Sequence, residues 1–286
     1  MNADEMTAHD DIERFRTGAA KYAAYLKTPE GRLRIDLAFA NLQDFLPQAA
    51  RPLQALDLGC GTGAIAVLLA RAGHYVTLLD ASLSMLDFAE RAAHEAGVTD
   101  RITLKHGDAE QLASFVEAGS FDVILCHNIL EFVDDPRTVL RGAARALRDP
   151  SAILSVLVRN QAGEVFKAAI QEGNLDVAHL NLNAEWGSDS LYGGRVRVFT
   201  EESLRAMLLD SSLAASAVRG VRVVSDYLPP KVSRSDEHER ILDLERKLGC
   251  RPEFAAVARY MHCLAYRPEP TIADPTINYP AMKVVP

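Results

Sequence analysis

Three glycines at alternate positions, Gly59, Gly61 and Gly63, follow an apolar run with one acid in the stretch "QALDLGCGTGA", residues 54–64. The run reads as a buried strand and the residues after it as a helix, so the glycines occupy a sharp strand-to-helix turn. Glycine permits the backbone conformations such a turn needs and lets a ligand approach the main chain. The first amides of the helix favour negative charge there.

A regular alternation surrounds this turn. Strands are expected at 53–58, 75–79, 101–106, 121–126 and 153–158, with helices at 62–72, 82–96, 109–117 and 136–147 between them. Strand–helix alternation with short links means parallel strands in a doubly wound α/β sheet. Ahead of it, residues 11–46 are helical and broken at "TPEG". Residues 160–198 interrupt the rhythm and read as an inserted helix and loop that cap the sheet. Beyond them come a helix at 200–209, a strand at 218–224, a helix at 237–248 and a strand at 255–266. The domain plan is an N-terminal helical segment, 1–50, the main domain, 51–270, and a tail, 271–286. Five prolines fall in the last twenty residues.

Composition excludes several classes. No run reaches the ~18 apolar residues of a membrane span, and the acidic start, "MNADEMTAHDDIERF", lacks the basic and apolar regions of a signal peptide. A cytoplasmic protein without a membrane partner is expected. The four cysteines lie far apart with no CxxC pair, so no metal is expected. A net charge of −8 disfavours a broad nucleic-acid surface but allows a local basic patch.

The glycine turn fits two ligand classes. Dinucleotides take G-x-G-x-x-G/A, matched by Gly59, Gly61 and Ala64. S-adenosylmethionine enzymes favour an acid followed by G-x-G-x-G, matched by Asp57, Gly59, Gly61 and Gly63. Asp80, ending the second strand, can accept both ribose hydroxyls in either class. The third piece separates them. Asp108 in "HGDAEQL" can accept an adenine amine while the Ala109 and Glu110 backbone frames the ring. His127 and Asn128 fall just past the fourth strand, beside the turn. A second nucleotide half and a proton donor for hydride transfer have no place in the pattern.

With "LDLGCGTG", "VTLLD", "GDAEQL" and "FDVILCHNILEFV" in this order, the chain resembles the class I S-adenosylmethionine-dependent methyltransferases. That resemblance implies a seven-stranded Rossmann-like sheet with N-terminal helices and an inserted cap. "TPEGRLR", "LEFVDDP", "RNQAGEVFKAAIQEGNLDVA", "GVRVVSDYLPP" and "LERKLGCRPEFAAVARYMH" are similar to the tRNA 5-carboxymethoxyuridine carboxyl methyltransferase family. By position, that similarity implies cofactor contacts from Arg34, Gly59, Cys60, Asp80, Ala109, Glu110 and His127, and Ala81 and Met85 complete the expected set. A guanidinium at Arg34 can pair with the methionine carboxylate.

The acceptor would be a carboxylate on a wobble uridine, already ionised and needing no general base. Arg159, Arg195, Arg197 and Arg222 are candidates to hold it, with Tyr192 and Tyr227 as donors or stacking surfaces and Trp186 as a further stacking surface. For a phenol, amine or carbon acceptor a base is required, with His127, Glu131 or His179 as candidates. The stretch "NAEWGSDSLYGG" stands where the family has a lysine-rich segment, which keeps a small-molecule acceptor open as the alternative to tRNA.

Overall fold

A computed structural model of the chain describes residues 8–189 and 191–269, with side chains from residue 14 onward except residue 16. The segment 271–286, expected as a tail, lies outside the described residues. Two helices come first, α1 (Ala8–Leu26) and α2 (Pro29–Gln43). The "TPEG" break is a helix start: the Thr28 side chain caps α2 by accepting from the Gly31 N–H, and Pro29 sets its first turn.

The alternating core follows as β1 (Gln54–Leu58), α3 (Ala64–Arg71), β2 (Tyr75–Asp80), α4 (Leu83–Glu95), β3 (Ile102–His106), β4 (Val123–His127), α5 (Pro136–Ala146) and β5 (Ile153–Arg159). The helix expected at 109–117 is only a short 3-10 stretch, Ala109–Ser114, because non-helical backbone at Gln111 stops it from propagating. The insertion contains α6 (Gln161–Phe166), continued by a π-helical turn, then α7 (Leu175–Asn181) and a two-stranded ribbon of β6 (Trp186–Ser188) and β7 (Arg195–Arg197). The chain returns as α8 (Glu201–Asp210), β8 (Ala214–Val221), α9 (His238–Gly249), α10 (Pro252–Ala255) and β9 (Tyr260–Tyr266). Expected at 218–224, β8 instead ends at Val221, because Arg222 turns into the left-handed region at φ 62°.

The main sheet has the order β3-β2-β1-β4-β5-β9-β8. Its first five strands are parallel, and β9 runs antiparallel between β5 and β8. Leu56 and Leu58 of β1 join a core with Val139, Leu140 and Ala143 of α5 and Leu204 and Leu208 of α8. Ala55, on the other face, joins Leu33 and Leu37 of α2, Leu69 of α3, Leu86 of α4 and Ile241 of α9. Full burial of each such leucine contributes about 2 kcal/mol. The order reverses between β1 and β4, so their carboxyl ends open a crevice where ligands bind in such sheets. Among the described residues no helix is long and apolar enough to cross a membrane.

Candidate active site

The glycine turn lies at this crevice. Gly59, Gly61 and Gly63 have φ of 60°, 53° and 70°. A Cβ on Gly59 would stand 2.5 Å from Ile129, and one on Gly61 would stand 3.2 Å from Tyr22. The missing side chains thus make room for the turn and for residues that wall a cavity beside it. Asp80 fastens the turn from the end of β2. Its Oδ2 accepts from the Gly61 N–H at 2.8 Å and its Oδ1 from the Ser82 N–H at 2.8 Å. Each oxygen keeps another lone pair. Asp108 accepts from the Glu110 N–H at 2.9 Å and so shapes the loop after β3.

The cavity measures about 1150 Å³ including its open mouth. It is lined by Gly59, Gly61, Asp80, Ala81, Met85, Gly107, Asp108, Ala109 and Glu110 from the turn and the β2 and β3 loops, and by Arg34, His127, Asn128, Asp134, Arg159, Tyr192 and Tyr260. Phe15, Tyr22, Phe132 and Leu191 complete the lining.

Arg34 is 5 % exposed, and among the described residues it has no acidic partner. Its guanidinium donates to Asn128 Oδ1 at 3.1 Å and to the Tyr22 hydroxyl at 2.8 Å, and Nε has no partner. The rings of Tyr22, Tyr25 and Tyr260 surround it at 5.6, 5.2 and 5.7 Å. Burial works against its charge, but the surrounding tyrosines outweigh it and hold the pKa well above the usual value. A buried cation without a counter-ion is costly, so the site lacks one negative charge. An anionic group on a ligand would meet that need. Asp80 at the turn and Asp108 in the loop after β3 line the same cavity.

His127, Ser155 and His262 form a buried chain across β4, β5 and β9. The Ser155 hydroxyl lies 2.7 Å from Nε2 of each imidazole. With one proton on that oxygen, one ring accepts and the other donates. Burial and the charge of Arg34 push His127 down to about 3. Burial, then His127 and Arg219, push His262 well below its usual value.

Asp189, absent from the expected set, fixes the roof. Its buried carboxylate accepts from Arg159 at 2.8 Å, Arg14 at 3.3 Å, and the N–H groups of Leu191 and Tyr192 at 3.1 and 3.2 Å. The Tyr192 ring packs edge-on to Phe15 at 5.1 Å. Asp189→Asn keeps one acceptor but removes the charge facing two guanidiniums. It is expected to lower unfolding stability by about 2 kcal/mol, the worth of a charged hydrogen bond. Urea titration at constant m-value checks this, and an unchanged midpoint would refute it.

The other expected residues separate. Asp57 and Cys60 line only a small recess behind the turn. Burial, then Asp80, raises Asp57 to about 8. Gly63 caps α3, where a Cβ would press on Leu78 and Ala89, so its neighbours are protein. Arg222 is buried against Asp226 and donates to the Tyr25 hydroxyl at 2.9 Å. Neither Tyr227 nor the ribbon residues Arg195 and Arg197 are among the cavity's lining. Glu131 is buried behind the wall, where Oε1 accepts from Asn128 and from the Arg159 N–H. His179 is exposed on α7. Tyr260 was not expected at all. It arrives on a strand more than two hundred residues from Arg34, and no local signal marks it.

A methyltransferase domain family matches residues 56–155. The chain is 33 % identical over 244 residues to the tRNA 5-carboxymethoxyuridine methyltransferase of Escherichia coli O157:H7, covering 85 % of this chain and 91 % of that one. It is 31 % identical over 175 residues to the ubiquinone biosynthesis O-methyltransferase of Actinobacillus pleuropneumoniae serotype 7, covering 59 % of this chain and 71 % of that one. In fold it is similar to the magnesium protoporphyrin IX methyltransferase of Synechocystis PCC 6803, solved with bound SAH. The TM-score is 0.59 at 14 % identity, covering 92 % of this chain and 100 % of that one. The glycine turn, the caged arginine and a similarity running nearly the whole length lead to one conclusion: the chain is an S-adenosylmethionine-dependent methyltransferase and belongs to the tRNA 5-carboxymethoxyuridine methyltransferase family.

Proposed function

We propose that the chain methylates the carboxylate of 5-carboxymethoxyuridine at the tRNA wobble position, in the cytoplasm. The observation that carries this reading is a cavity lined by two guanidiniums, Arg34 and Arg159, one for the cofactor's carboxylate and one for an anionic acceptor, with none of the three bases expected from the sequence placed to serve. His127 is too acidic at about 3 and its Nε2 is tied to Ser155. Glu131 is behind the wall and His179 is on the surface. A carboxylate acceptor needs none of them.

When bound, S-adenosylmethionine supplies an electrophilic methyl on a sulfonium. Arg34 holds its carboxylate, Asp80 its ribose hydroxyls, and Asp108 with the Ala109–Glu110 backbone its adenine. Tyr192, Phe15 and Phe132 exclude water, which strips the acceptor carboxylate of its hydration and leaves it more nucleophilic. Arg159, between Asp189 and Glu164, and Tyr260 receive that carboxylate and align it.

Tyr260 has a testable signature. Burial opposes its ionisation, but Arg34, Arg222, Arg159 and Arg259 pull the phenol down to about 8. Tyr25 also faces it. Below that pH the phenol donates to an anion, and above it the phenolate repels one. Turnover is therefore expected to fall above about pH 8. Tyr260→Phe is expected to abolish that alkaline limb and raise KM for tRNA about fivefold, the loss of one hydrogen bond. A wild-type limb retained in the variant would exclude this role.

The function itself is tested with methyl-labelled S-adenosylmethionine, offered with tRNA from cells lacking this protein and, separately, with a small-molecule extract. A base-labile methyl ester on the modified uridine is expected. Label confined to the extract would establish the small-molecule alternative.

A further inference from the structure

We propose that the outward face of the β6–β7 ribbon is a docking surface for single-stranded RNA, taking an unpaired nucleotide next to the one being methylated. This inference rests on the tRNA reading above and assigns a role to residues that the cavity does not use.

The ribbon has two unlike faces. Val196 is fully buried, and Gly187 lies against Val198 and Glu164, so these residues form the inner face. By strand alternation the outer face carries Trp186, Ser188, Arg195 and Arg197. Trp186 pairs directly with Arg197 and diagonally with Arg195. Both guanidiniums lie over the indole, 4.4 and 4.6 Å from its centre, and the indole is 36 % exposed. Arg137 adds positive charge beside Arg197, while Glu185 and Asp135 flank it.

This face adjoins the mouth of the cavity. The Arg197 N–H donates to the Glu131 carbonyl at 3.1 Å, and its guanidinium reaches the carbonyl of Asp134, which lines the cavity. At its other end Ser188 leads straight into Asp189 and the roof. An aromatic ring layered with guanidiniums offers stacking surface to a base and charge to its phosphates, the chemistry by which unpaired RNA is held. Such a patch is pointed on a chain of net charge −8.

Trp186 is the protein's sole tryptophan, so its fluorescence reports this face directly. The full-length protein is titrated with tRNA bearing 5-carboxymethoxyuridine and, separately, with heparin, which has charge but no bases. Strong quenching by tRNA and little by heparin are expected. Trp186→Ala is expected to raise KM for tRNA about tenfold, the loss of one stacked base, with kcat and cofactor affinity unchanged. Trp186→Phe should restore most of the loss. Wild-type turnover on tRNA with no quenching and an unchanged KM in Trp186→Ala would overturn the docking surface alone, as would equal quenching by heparin. No wild-type turnover on any tRNA, with methylation of a small molecule, would overturn the underlying reading as well.

Discussion

Replacing Arg34 by methionine is expected to weaken S-adenosylmethionine binding by about a thousandfold while leaving the ligand-free fold within about 1 kcal/mol of wild type. The two halves of this result have different causes. On the proposed assignment the guanidinium would face the cofactor's buried carboxylate, and removing one partner of such a pair costs about 3–5 kcal/mol. In the free protein Arg34 has no counter-ion among the described residues, only Asn128, Tyr22 and three tyrosine rings. Trading an unpaired buried charge for an apolar side chain of similar length relieves desolvation as it loses those contacts. Arg34→Lys keeps a charge but loses the fork geometry and should fall between. Calorimetry gives the affinities and thermal unfolding gives the stability. Methionine binding nearly as tight as wild type would exclude the assignment.

Acid is expected to unfold the protein earlier than its ordinary carboxylates would require. The His127 imidazole is at about 3 in the folded chain and near 6.5 when unfolded. Between these values the unfolded chain binds a proton that the folded one refuses. The stability from His127 is therefore intact above pH 6.5 and drains as pH falls toward 3, by about 2 kcal/mol at pH 5. His262 acts in the same direction. Asp57 acts in the opposite one. Its folded pKa of about 8 is raised, so its contribution is fully present below about 4 and is lost as pH rises through 8. Asp80 and Glu131, both raised by burial, act with Asp57, and His74, lowered by burial, acts with the two histidines. The double variant His127→Gln, His262→Gln should lose at least about 2 kcal/mol less stability than wild type between pH 7 and pH 5, whatever its baseline stability. Urea titrations at pH 7, 6 and 5 provide the comparison, and parallel slopes for the two proteins would contradict it.

The crevice was legible because its parts are local. A strand, a glycine turn and an acid one strand on are marked by alternation and by residue type, and Gly59, Gly61, Asp80 and Asp108 all line the cavity. Arg34 carried no such mark. A helix arginine looks the same on a surface or in a core, and only the family resemblance singled it out. The roof was less legible still. Asp189 works through a loop in an insertion without periodicity, and β6 and β7 have three residues each, too few to show alternation. Tyr260 depends on register: β9 is inserted antiparallel beside β5, which sets Tyr260 opposite Arg159. No neighbouring residue in the sequence announces that pairing.

The caged Arg34 as counter-charge to the cofactor's carboxylate is tested most directly by comparing S-adenosylmethionine with its decarboxylated analogue in calorimetry. Wild type should bind the analogue at least about a hundredfold more weakly, and Arg34→Met should bind the two alike. Equal affinity of wild type for both would show that the guanidinium serves something else.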